Sequence, residues 1–220
     1  MANGIDVSQW QGRIDWQRVK TDFVIIRAGY GRLASQRDTE FETNYVDSRS
    51  YGIPCGAVTP DEARDEADAC LSVIRGKKFE YPIYYDVEDS RILALGKNAV
   101  SNIIRAFMDK IENAGYFAGL YMSADDLTDC VDEDIRRKYA VWVADYDTDR
   151  PDYDGAYGMW QKSSTGRVDG ITGNVDIDEA FENYPEIIRN AGLNGLEPDK
   201  KDHFLTIIID GETIIKDYRF

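Results

Sequence analysis

Phe23-Val24-Ile25-Ile26 is an unbroken apolar run, and it restricts the possible architectures more than any other stretch. A strand with one wet face alternates polar and apolar residues, whereas a continuous run needs cover on both faces. Strands of that kind occur in parallel sheets, whose neighbours are joined by crossover helices. Helical spacing does follow: Phe41, Tyr45 and Val46 share a face, with Gly52 expected to end the helix. Residues 53–58 then read as a third strand, which runs directly into Thr59-Pro60-Asp61-Glu62. That tetrad is a helix start, with Thr59 as N-cap, Pro60 in the first turn and Glu62 closing a capping box. Ala63, Ala67, Leu71 and Ile74 line one face of the helix, and Gly76 stops it.

The same alternation organises most of the chain. Residues 4–8 read as a first strand, 9–12 as a loop and 14–19 as one or two helical turns. Further strands are expected at 81–89, 117–122 and 140–146. Between them lie a helix marked by Ile103, Phe107 and Ile111 and ended by Gly115, and a weaker one over 125–139. Residues 157–162 and 174–177 are strands with no helix between them. The expected fold is therefore α/β: an irregular TIM-like barrel of five β/α units followed by three strands, occupying residues 1–190. A polar linker over 191–203 leads to a β-hairpin appendage at 204–220, signalled by apolar runs flanking Asp210-Gly211.

Chemistry concentrates on the fourth strand. Asp86 and Glu88 stand two residues apart, so a strand points both side chains to one side, with Cα atoms roughly 6–7 Å apart. Two carboxyl groups at that spacing can converge on one sugar ring, as acid-base cleavage of a glycosidic bond requires. The competing reading is a strand end passing into a solvated acidic loop. Composition narrows the choice. His203 is the single histidine, which leaves Ser-His, Cys-His and histidine-ligated zinc hydrolases without their parts. Forty-one acidic against 26 basic residues give a formal charge of −15, a surface that repels nucleic acid. No apolar run reaches membrane-span length, so no membrane insertion is expected. Cys55, Cys70 and Cys130 are too few and too scattered for a disulfide framework, and free thiols are expected. The first residues carry no secretory signal; release by a phage or prophage, or a signal already removed, is the expected route to a cell wall.

Taken together and in order, these motifs resemble the glycoside hydrolase family 25 lysozymes, the muramidases of phage endolysin or bacterial autolysin type. The resemblance rests on Gly4-Ile5-Asp6-Val7-Ser8, Gln11-Gly12, Ile14-Asp15-Trp16 and Phe23-Val24-Ile25-Ile26-Arg27-Ala28. It continues through Asp86-Val87-Glu88, Gly119-Leu120-Tyr121, Trp142-Val143-Ala144, Met159-Trp160-Gln161 and Val175-Asp176. It implies hydrolysis of the β-1,4 bond between N-acetylmuramic acid and N-acetylglucosamine, by a monomer acting on extracellular peptidoglycan strands without metal or organic cofactor. Glu88 matches the general acid. Asp86 matches the neighbouring carboxylate, which acts as nucleophile or orients the substrate's acetamido group. Asp6 and Asp176 match the remaining acids of the site; Asp89 and Asp178 are expected behind them. Tyr121, Trp142, Gln161 and Tyr84 are the expected sugar-binding residues. One departure stands out: about six residues of an aromatic-rich segment that usually follows the third strand are missing here. The shortened strand is expected to widen the cleft and weaken activity. A glycan-binding barrel without turnover and a chitinase-like N-acetylglucosaminidase remain open alternatives.

Overall fold

The computed structural model describes residues 1–45, 50–198, 204–209 and 212–217. In chain order the elements are β1 (Ala2–Val7), β2 (Phe23–Arg27), α1 (Phe41–Tyr45), β3 (Ser50–Pro54), α2 (Pro60–Ile74) and β4 (Ile83–Asp86). They continue with α3 (Ser90–Leu93), α4 (Lys97–Asn113), β5 (Ala118–Ser123), α5 (Ala124–Cys130), α6 (Glu133–Lys138) and β6 (Ala140–Ala144). Last come β7 (Met159–Gly166), β8 (Val175–Ala180), α7 (Tyr184–Ala191), β9 (Phe204–Ile209) and β10 (Glu212–Asp217).

Strands β1 to β8 close into an irregular α/β barrel in sequential order. All neighbours from β1 to β7 are parallel. Only β8 runs the other way, antiparallel to both β7 and β1. The reversal follows from the connections, because without a crossover helix between β7 and β8 the chain has no route back to the starting edge. Its consequence is chemical. Asp176, at the start of β8, is brought to the same barrel end as Asp6 near the end of β1, and the two are direct register partners.

Period-two alternation separates two cores. Val24, Ile26, Ile83, Tyr85, Leu120 and Met122 point outward, where they meet α2 through Ala63, Ala67 and Ile74, and α4 through Ile103, Phe107 and Ile111. Tyr85 lies flat on Phe107 with centroids 3.8 Å apart. Phe23, Ile25, Tyr84, Tyr121, Trp142 and Met159 fill the lumen. The unbroken apolar run of β2 therefore serves both cores at once.

Four expectations need revision. The turns expected at 14–19 reduce to a single one, closed by the Arg18 N–H on Asp15 O at 3.0 Å, and a 3₁₀ turn at Gln9–Gln11 stands where a loop was expected. The Asp15 N–H donates to Gly170 O at 2.9 Å, so this turn is tied to a distant loop and does not extend into a helix. β3 begins and ends earlier than residues 53–58, and Gly52 lies inside it rather than terminating α1. Cys55 to Val58 thus become a βα connection of ordinary length, and the shortened segment is absorbed by the strand stopping at Pro54. At the start of α2, Thr59 caps the Glu62 N–H, but the Glu62 carboxylate accepts from Val58 N rather than from Thr59 N. Finally, α7 follows β8, where no helix was expected.

Cys55, Cys70 and Cys130 are free; His203 lies outside the described residues. No described helix is long and apolar enough to cross a membrane. β9 and β10 form an antiparallel hairpin. The segment expected as a linker is docked in its first part. Asn194, with no exposed surface, adopts a left-handed conformation at φ 55. Its amide donates to Tyr81 O at 2.7 Å and accepts from Phe117 N at 2.7 Å. Its backbone donates to Gly115 O and accepts from Phe79 N. One side chain and one peptide unit therefore join the approaches to β4 and β5 at the end of the barrel opposite the acidic cluster.

Candidate active site

The lumen is closed by aromatic rings below and opens above into a cleft of about 360 Å³. Lumen-facing positions at the strand ends supply its walls, because successive inward residues climb toward the mouth. β1 contributes Asp6, β4 contributes Asp86, β5 Tyr121, β6 Trp142, β7 Gln161 and β8 Asp176. Glu88 lies two residues beyond the end of β4, which is shorter than expected. The Val87 N–H still donates to Tyr121 O at 3.1 Å, so extended pairing persists and Glu88 keeps the side that Asp86 faces. All eight residues expected from the sequence line this one cleft. None of residues 55–59 does.

Their depths differ. Glu88 is exposed at the mouth, while Asp6, Asp86 and Asp176 keep only part of their surface open to the cleft. Tyr121 and Trp142 are nearly buried, with ring centroids 4.5 Å apart. Tyr84 is fully buried, edge-on to Trp142 at 5.1 Å. It lines the cleft from its floor, beneath the other rings. Trp160, by contrast, points to the outer core and donates to Asp145 O.

A hydrogen-bonded chain fixes the floor. Gln161 donates through Nε2 to Asp6 Oδ2 at 2.7 Å, and its Oε1 accepts from Tyr121 at 2.7 Å and Tyr146 at 2.6 Å. Asp178, one inward position below Asp176, is wholly buried and accepts from Trp142 Nε1 at 3.1 Å. Its other oxygen meets no N–H or O–H donor among the described residues and lies near the Asp6 carboxyl. Asp89 plays a different part, capping α3 and pairing with Arg91.

Every acid of the cluster is held above its ordinary value, and burial is the first cause each time. Asp6 is raised well above it by burial and then by Asp176, against the Gln161 amide. Asp86 is likewise raised well above it by burial, Glu88 and Asp6, with Arg27 opposing. Glu88 is raised by loss of water around its carboxyl, then by Asp176 and Asp126. Asp86, expected to raise Glu88, is not among these causes, and the repulsion between the two is expressed on Asp86, the deeper partner. Asp176 is raised by burial, and a hydrogen bond from Asp6 opposes the rise. Asp178 is raised well above the ordinary range by burial, Asp6 and Asp176. Carboxyls in this state divide naturally into proton donors and ionised partners.

The cluster also bears on stability. An acid whose value is raised on folding binds its proton more tightly in the native state, so its contribution to stability is greatest below the unfolded value. That contribution is lost as pH climbs through the folded value. Asp178→Asn keeps an acceptor for Trp142 Nε1 and removes the buried titration. It is expected to raise the melting temperature at pH 7 by about 2–4 °C per kcal/mol relieved, with about 1.4 kcal/mol for each unit of upward shift. The gain should vanish near pH 4. Melts that match the wild type at pH 7 would show that burial imposes no such cost.

Three neighbours were not anticipated from the sequence. Arg27, the next inward position after Phe23 and Ile25, lines the cleft and pairs with the fully buried Asp38 at 2.8 Å. Trp10, 76% exposed, stands at the mouth beside it. Tyr146 completes the Gln161 chain. A charged residue ending an apolar strand was the available signal for Arg27; Asp38 carried none, because its partner lies eleven residues away across a loop.

Comparison with known proteins follows the same lines. The uncharacterized protein YegX of Escherichia coli (strain K12) is 31% identical over 194 residues, covering 80% of this chain and 68% of YegX. The autolytic lysozyme of Clostridium acetobutylicum is 28% identical over 187 residues, 81% of this chain and 56% of that protein. Among solved structures, the modular autolysin LytC from Streptococcus pneumoniae, in complex with a synthetic peptidoglycan ligand, superposes with a TM-score of 0.70 at 28% identity. The superposition covers 80% of this chain and 46% of LytC. Residues 5–171 match the model of the Glycosyl hydrolases family 25, and the chain belongs to that family.

Proposed function

We propose that the protein is a peptidoglycan hydrolase of the muramidase type, cleaving the β-1,4 bond between N-acetylmuramic acid and N-acetylglucosamine. The observation that carries this reading is the gathering of Asp6, Asp86, Glu88 and Asp176 around one aromatic-floored cleft. Glu88, exposed and raised, is suited to give its proton to the leaving oxygen and then to take one from the incoming water. Asp86, deeper and facing Arg27, stabilises the positive charge that develops on the sugar ring. Asp6, held by Gln161 and bonded to Asp176, orients the group and sets its field. The peptidoglycan ligand of LytC and the lytic role of the clostridial relative support the same substrate class.

Turbidity clearing of purified cell walls, set beside cleavage of soluble chitin oligomers, tests the reading. Clearing with little chitin cleavage is expected. Chitin cleavage without clearing would assign a chitinase-like activity, and retention on walls without turnover would leave a binding barrel. The break at Pro54 leaves the β3 side of the cleft without a wall from residues 55–59, so slow clearing is expected.

A further inference from the structure

A second cavity, of about 240 Å³, lies beside the barrel between α5, α6 and the loop that joins β6 to β7. Two of the donors lining it have no acceptor. Tyr153, only 7% exposed, buries its hydroxyl without a partner, and Arg136 does the same with Nε. A buried donor left unsatisfied is rare and costs stability, so a pair of them at one cavity points to something the cavity holds. The space over the hydroxyl is kept open by Gly155, because a side chain there would run into Tyr153. The rim has the opposite charge. Asp125, Asp129, Asp152 and Asp154 are exposed around the same cavity. None of them has an ion-pair partner among the described residues, and Arg136 pairs with none of them. That separation leaves room for a ligand between the cation and the anions. The aspartates form no metal-binding group among the described residues. A simple anion would satisfy Arg136 and be repelled by four carboxylates. A simple cation would leave both buried donors bare. A ligand with both charges answers the whole site, its carboxylate turned inward and its ammonium at the rim.

We propose that this cavity binds the head group of an α-amino acid, with the carboxylate on Arg136 and Tyr153 and the ammonium among the rim aspartates. Two sources carry that head group: a free amino acid, and a cell-wall peptide in which a diamino acid leaves one α-centre unlinked. The site stands independently of the hydrolase reading, because neither the cleft nor its carboxylates take part.

Titration of the full chain with meso-diaminopimelate, followed by amide NMR, tests the site. Saturable shifts are expected at the amides of residues 128–130 and 152–155, with a dissociation constant of about 0.1–1 mM. Acetate and n-butylamine, which carry one charge each, should bind at least about tenfold more weakly. Arg136→Gln strands no partner and should weaken the amino acid by about tenfold or more, through loss of the charged fork. Tyr153→Phe should weaken it severalfold while the melting temperature stays level or rises, since the hydroxyl removed has no partner in the free protein. The tripeptide L-alanyl-γ-D-glutamyl-meso-diaminopimelate separates the sources. Binding about tenfold tighter than the free amino acid assigns the wall peptide, equal or weaker binding assigns the free amino acid, and either result supports the head-group site. Absence of saturable shifts, single-charge probes that bind as well, or wild-type affinity in either variant would overturn it and leave the two donors to ordered water. The hydrolase reading is untouched by any of these results and keeps its own test in wall clearing.

Discussion

Glu88→Gln is expected to abolish wall clearing while leaving the fold and the cleft intact. The amide fills the same volume but cannot release a proton to a leaving oxygen, and positioned acid catalysis accounts for roughly 10²–10⁴-fold in rate. Because Glu88 lies at the exposed mouth rather than in the packed floor, the substitution leaves no buried orphan, and thermal stability should not fall. Asp86→Asn should cost a comparable factor through the lost charge opposite the developing cation. Asp6→Asn and Asp176→Asn should be milder, since they work through orientation and field. The pH dependence carries the same logic. Turnover needs Glu88 protonated and Asp86 ionised, so activity should fall at high pH once the pair has lost both protons and in acid once it holds both. Both limbs belong to the interacting set rather than to single groups. Clearing by Glu88→Gln at the wild-type rate, with its mass verified, would end the assignment of this residue as the acid.

Cutting the chain after Ala191 is expected to destabilise the barrel severely, whereas cutting after Pro198 should leave it unchanged. The difference is Asn194 and its flanking leucines. Loss of Asn194 strips partners from Tyr81 O, Phe117 N, Gly115 O and Phe79 N, and a buried polar group left unsatisfied costs about 1–3 kcal/mol. Leu193 and Leu196, which pack against the lumen core, would go with it. A loss of several kcal/mol corresponds to roughly ten degrees or more in melting temperature for a domain of this size. Asn194→Ala in the full chain should reproduce a large part of it. The hairpin of β9 and β10 is our proposed appendage, and the second cut tests that proposal. Equal melting temperatures for the two truncations would show that the 192–198 segment is not a structural plug, and a large loss from the longer one would make the hairpin part of the fold.

Much of the barrel was legible because its determinants are local. Unbroken apolar runs, the Thr59-Pro60 helix start and stop glycines such as Gly76 and Gly115 announce elements within a few residues of themselves. The carboxylate pair was legible for the same reason: a period of two places Asp86 and Glu88 on one side whatever surrounds them. Boundaries were less so. β3 sits several residues earlier than its sequence suggests because its limits are set by register against β2 and β4, not by its own composition. The stretch 14–19 stops at one turn, where Asp15 bonds Gly170, 155 residues downstream.

What only the tertiary structure decided depends on long-range closure. The antiparallel entry of β8 sets Asp176 opposite Asp6, and closure of the ring turns separate acidic positions into one cluster whose burial raises every member. Tyr84 could be placed on a strand from sequence but not edge-on to Trp142 in the floor, since that depends on how far the lumen fills. Asp38 and Asn194 look like ordinary loop polar residues until folding removes their water. Their weight arises because a buried polar atom must find its partners inside the protein, and those partners are chosen by the packing of distant segments, which no local pattern encodes.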